Sequence, residues 1–106
     1  MKTVKIALLD YGVGNLFSVA NALRAVGADV VITQNLTDIQ AADKILLPGV
    51  GAIKDAMHHM QKAAIDIAVK EALQNKPVMA ICVGMQAMFD YSTEGGHVDC
   101  LGIISG

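Results

Sequence analysis

Short apolar runs punctuate this chain, and amphipathic stretches separate them. Val4-Lys5-Ile6-Ala7-Leu8-Leu9 predicts a strand over 3–10, and the β-branched Val30-Val31-Ile32 predicts a second over 29–33. Strands over 44–47, closed by Pro48-Gly49, and over 78–82 follow, and Leu101-Gly102-Ile103-Ile104 predicts a fifth. Between them the spacing becomes helical. Leu16, Val19, Ala20, Leu23 and Val26 share one face of a helix that Gly27 would stop. Thr37-Asp38-Ile39-Gln40 fits a capping box for a short helix. Met57, Met60, Ala64, Ile65, Ala68, Val69, Ala72 and Leu73 form a long stripe, with a break near 61–63 and an end at Asn75 and Pro77. Residues 84–91 start another helix, and 92–99 read as a polar, Gly-containing loop.

Strand–helix alternation with short links predicts an α/β fold of three layers, a mostly parallel sheet of about five strands with flanking helices. In such sheets ligands bind beyond the carboxyl ends of the strands. The unusual sequences of this chain fall at those ends, at 10–15, 48–51 and 82–84.

Composition narrows the picture. The chain has 106 residues, enough for one domain, and is 54% hydrophobic and 17% charged. That balance suits a sheet buried on both faces. Net charge is −2 and no Lys/Arg cluster exists, which argues against nucleic acid or an anionic membrane surface as partner. No apolar run approaches the length of a membrane span. The apolar segment 6–9 is too short for an export signal, so the expected location is cytoplasmic. Cys82 and Cys100 then read as two reduced thiols.

Cys82 is the informative one. Val78-Met79-Ala80-Ile81-Cys82-Val83-Gly84-Met85-Gln86 places it where a strand turns into a helix, with Ala80 and Gly84 two positions to either side. A sharp strand-to-helix turn strains the nucleophile's backbone and crowds its neighbours, which is why small residues flank it. Unpaired amides at a helix start would favour the thiolate, and the N–H of Val83 would serve an oxyanion. A buried, inert Cys at a strand end is the competing reading.

The segment Ala80-Ile81-Cys82-Val83-Gly84-Met85-Gln86 resembles the nucleophile segment of class I glutamine amidotransferases, which usually carry Gly where Ala80 stands. Asp10-Tyr11-Gly12-Val13-Gly14-Asn15-Leu16-Phe17-Ser18-Val19 and Leu47-Pro48-Gly49-Val50-Gly51-Ala52 resemble the opening motif and oxyanion strand of one branch, the glutaminase subunits of imidazole glycerol phosphate synthase in histidine biosynthesis. Glu94-Gly95 and Leu101-Gly102-Ile103-Ile104 are similar to its downstream loop and strand, so the likeness spans essentially the whole chain. The resemblance implies that residues 1–106 are the N-terminal part of a truncated amidotransferase domain. It implies Cys82 as nucleophile, an oxyanion site from the amides of Val83 and Gly51, close backbone approach at Gly49 and Gly51, and glutamine binding by Gln86. Tyr11 and Asn15 would lie toward a partner, a (β/α)8-barrel cyclase subunit that receives ammonia to form imidazole glycerol phosphate and AICAR. No cofactor or metal is implied. Another class I amidotransferase, a docking-only domain and a cysteine-elbow stress protein are the alternatives.

The family completes its triad with a downstream His and Glu, and no residue of this chain is assigned as base. His58 and His59 lie on one helix and His97 in a loop, all expected at the surface. Gly12-Val13-Gly14 lacks the rest of a dinucleotide fingerprint, since Phe17 holds the third glycine position and the second strand ends at Thr33. Met57, Met60 and Met88 read as core, Met85 as a candidate site lining, Asp10 as a turn former, and Cys100 carries no evident role.

Overall fold

A computed structural model describes residues 3–12 and 16–106. Its parallel sheet runs β2(Asp29–Thr33)–β1(Lys5–Leu9)–β3(Lys44–Leu47)–β4(Val78–Ala80). Leu8 at its centre is paired with Ile32 on one side and Leu46 on the other. Strands that are paired on both sides and covered on both faces need no polar alternation, which explains the continuous apolar runs.

Two apolar layers sandwich the sheet. On one face Leu8, Val30 and Leu46 pack with Ala20 of α1(Leu16–Ala25). On the other, Ala7, Leu9, Ile45 and Leu47 meet α2(Leu36–Ala41), α3(Ile53–Lys62), α4(Ile65–Ala72) and the single turn α5(Val83–Gln86). Met57, Met60 and Met88 are buried there, as their spacing predicts. Among the described residues, no helix is long and apolar enough to cross a membrane.

The helix ends have local causes. α1 closes with Gly27 N–H on the Arg24 carbonyl and Ala28 N–H on that of Leu23, with Gly27 at φ +94°. That is the glycine-dependent C-terminal motif expected of position 27. α2 is capped by Asn35, whose side chain accepts from the Thr37 amide at 2.9 Å, so the cap lies two residues before the expected Thr37. Its other end is held from a distance. The Lys76 ammonium donates to the carbonyls of Ile39, Gln40 and Ala42 at 2.8–3.0 Å, a cation on the negative end of a helix.

Two expectations change past the elbow. The segment 101–104 adds no fifth parallel strand. Its amides bond to the carbonyls of Ala87, Met88 and Phe89, with one bridge between Phe89 and Ile104. Leu101 is buried, and its anchoring accounts for the apolar signal. The polar stretch 92–99 is not simply a loop, because β5(Tyr91–Ser92) pairs antiparallel with β6(Val98–Asp99).

Candidate active site

The carboxyl ends of β1, β3 and β4 converge on Cys82. Its backbone is at φ 54°, ψ −123°, a conformation few non-glycine residues adopt, and its side chain is exposed. The turn is held from both sides. Ile81 N–H donates to the Leu47 carbonyl at 3.0 Å and Gly84 N–H to the Ile81 carbonyl at 3.0 Å. The Cys82 carbonyl then accepts from Met85 and Gln86 at 2.9 and 3.1 Å, which starts α5. The helix has four residues, shorter than the stretch 84–91 expected, so its dipole acts over one turn only.

Gly84 sits where a side chain cannot. A Cβ there would lie 3.0 Å from the Pro48 carbonyl oxygen and closer still to that of Leu47. Gly49 faces it, and a Cβ on Gly49 would lie 2.6 Å from the Gly84 amide nitrogen and 2.7 Å from the Tyr11 hydroxyl. The 48–51 segment is therefore pressed backbone to backbone against the elbow. Gly51 is glycine for a different reason, its φ of +88°. The amides of Gly51 and Val83 have no backbone acceptor among the described residues. A free amide on the residue directly after the thiol, as at Val83, suits a developing oxyanion. Val83 buries its side chain in the core, which fixes the first residue of the turn.

Gln86 is half-buried and lines a depression with Phe89, Ser92, Thr93 and Glu94. Met85 is half exposed. Tyr11, expected to face a partner, points inward instead. Its side chain is 3% exposed and its hydroxyl donates to the Pro48 carbonyl. Burial pushes its phenol up to about 12, so it remains a donor at neutral pH. Sequence reasoning missed this role. The available signal was a Tyr directly after a buried strand, since a buried Tyr hydroxyl usually finds a partner. Asn15 lies outside the described residues. Asp10 acts as a turn former, its carboxylate accepting from the Gly12 amide at 3.1 Å.

None of the three histidines hydrogen-bonds to Cys82 among the described residues. His58 and His59 are exposed on α3. His97 is exposed, 2.8 Å from the Asp99 carboxylate and stacked on Tyr91 with ring centroids 5.1 Å apart. Cys100 is half-buried. Burial, then the Asp99 carboxylate, pushes its thiol up. No group of three or more His, Cys, Asp or Glu side chains gathers as a metal site among the described residues.

A solved structure of a putative peptidase E protein from Listeria monocytogenes superposes with a TM-score of 0.74 at 13% identity, covering 95% of this chain and 63% of that one, which supports the fold alone. The imidazole glycerol phosphate synthase subunit HisH of Acinetobacter baylyi is 56% identical over 102 residues, 96% of this chain and 50% of its own length. Its counterparts in Pseudomonas savastanoi and Dehalococcoides mccartyi are each 49% identical over 95% of this chain. The chain spans about half the length of these relatives. Residues 7–99 match the family model for glutamine amidotransferase class-I, and the chain belongs to that family.

Proposed function

We propose that this chain supplies the nucleophile side of a glutaminase site, as the N-terminal part of an amidotransferase domain. One observation carries the reading: the Cys82 thiol is exposed on a strained turn, the amide of the next residue, Val83, has no backbone acceptor among the described residues, and the Gly49 end of the 48–51 segment packs against that turn. The Cys82 thiolate adds to the side-chain amide carbon of glutamine. The carbonyl oxygen becomes an oxyanion held by the amides of Val83 and Gly51. The intermediate collapses by breaking the C–N bond, and the nitrogen leaves with a proton as ammonia. A glutamyl thioester remains, which water hydrolyses to glutamate and the free thiol. The proton is moved by a base that none of His58, His59 or His97 is placed to provide. Gln86, in the depression beside the turn, orients the amino-acid end of glutamine.

The likeness to HisH subunits supports a narrower reading. The ammonia passes to a (β/α)8-barrel cyclase and is consumed in forming imidazole glycerol phosphate and AICAR. The test uses the subunit at its natural length with its cyclase. Cys82→Ala is expected to lower glutamine-dependent synthesis at least a thousandfold while ammonia-dependent synthesis stays within twofold. Retained glutamine use would remove Cys82 from this role. A cyclase that gains nothing from the wild-type subunit would leave a different amidotransferase of the class as the better assignment.

A further inference from the structure

Tyr11 stands at the carboxyl end of β1, and its side chain reaches across to the chain leaving the neighbouring strand β3. The acceptor it meets, the Pro48 carbonyl, belongs to the same peptide unit as the Gly49 N–H. A peptide unit is planar and trans, so fixing its oxygen fixes the direction of its N–H. The next residues, Gly49-Val50-Gly51, contain two glycines and little to restrict their rotation. Val50 is 56% exposed, so it adds no anchor of its own. The segment is otherwise restrained by the contact of Gly49 with Val83 and Gly84.

We propose that Tyr11 is a positioning residue for the oxyanion site: its hydroxyl, through the Pro48 carbonyl, fixes the 48–51 backbone against the Cys82 turn. This rests on the glutaminase reading above. Tyr11 acts through the backbone it holds, so its loss changes how well the transition state is held rather than how glutamine binds. Losing an interaction made only in the transition state lowers kcat without changing KM. The same hydroxyl lies close to where a Gly49 side chain would project, which ties the two residues to one packing arrangement.

The experiment is Tyr11→Phe in the subunit at its natural length, assayed with its cyclase, beside wild type and Cys82→Ala. The expected result is a fall in glutaminase kcat of about tenfold with KM within twofold, below the roughly hundredfold or greater loss from deleting an oxyanion donor outright. Ammonia-dependent turnover stays at the wild-type rate, as does alkylation of Cys82 by iodoacetamide, which needs no oxyanion site. Restoring the hydroxyl with 3-fluorotyrosine at position 11 brings kcat back to within twofold of wild type. A Tyr11→Phe enzyme with unchanged kcat, or with a raised KM and unchanged kcat, overturns the assignment and leaves the glutaminase reading intact. A variant that loses its fold altogether also overturns it, because the hydroxyl would then be a support of the core. Wild-type glutamine turnover that survives Cys82→Ala overturns the underlying reading and this assignment with it.

Discussion

Cys82 and Ala64 share a rare property and differ in what maintains it. They are the two non-glycine residues with positive φ among those described. Ala64, at φ 58° and ψ 25°, lies in the ordinary left-handed region and joins α3 to α4. Its turn is satisfied by adjacent chain, with Ala63 N–H on the His59 carbonyl and Ala64 N–H on that of Gln61. Cys82 has nearly the same φ but a ψ of −123°, outside that region. Its turn is braced by a different strand: Ile81 bonds to Leu47, Gly84 abuts the Leu47 and Pro48 carbonyls, and Gly49 abuts Gly84. A left-handed residue between two helices reverses a chain. A strained residue pinned by its neighbours across the sheet presents a side chain, and here that side chain is a thiol.

The most severe way to break this comparison is to remove the room on which the brace depends. Gly84→Ala puts a Cβ against two backbone carbonyls, one of them on a strand paired on both sides, so neither can give way cheaply. Overpacking of this kind costs about 1–3 kcal/mol, and the upper end is expected because the clash is with backbone. Denaturant unfolding of wild type and variant measures it. A loss below about 0.5 kcal/mol would show that the turn carries its own conformation and that β3 does not brace it.

Much of this was legible before the structure. β2 and β3 fall on the predicted residues because β-branched and apolar runs bounded by polar or turn residues have few other uses. The break expected near 61–63 is the Ala63–Ala64 turn. The elbow was readable because its cause is steric and local: small residues at fixed distances around one nucleophile. What failed depended on long-range partners. Leu101-Gly102-Ile103-Ile104 has the composition of a strand, but no strand edge receives it, and its amides turn back to 87–89. A four-residue apolar run cannot declare its acceptors. The β5–β6 ribbon was hidden by its polarity, although Gly95-Gly96 is a hairpin signal. The inward turn of Tyr11 has no local signal for its partner either, because the acceptor that draws it in lies 37 residues away.

Alkali offers a subtler probe of the brace. Tyr11 titrates near 12 in the fold against an ordinary 10.0, so the native state favours the neutral phenol. The stability this confers is complete below pH 10 and is lost as pH rises from 10 toward 12, where the unfolded chain ionises first. Tyr11→Phe has no such group. The stability gap between wild type and Tyr11→Phe is therefore expected to narrow across that window, measured by denaturant midpoints at half-unit steps of pH. A gap that stays constant would mean that the phenol ionises as easily inside the protein as outside it.

The smallest effects separate the two strained residues most directly. Glycine relieves a positive φ but adds about 0.5–1 kcal/mol of backbone entropy to the cost of folding. At Ala64 the left-handed penalty to be relieved is about 1–2 kcal/mol, so Ala64→Gly is expected to stabilise the fold by a few tenths to about 1 kcal/mol. At Cys82 the conformation is rarer and its cost reaches about 1–3 kcal/mol, so Cys82→Gly should stabilise by more than Ala64→Gly does. Cys82→Ala, which keeps a Cβ, supplies the reference free of the sulfur's own packing. Thermal or chemical melts of the three variants rank them. If Ala64→Gly stabilised the chain as much as Cys82→Gly does relative to Cys82→Ala, the two turns would carry equal strain. The brace around Cys82 would then hold the thiol in place without holding it in a costly conformation.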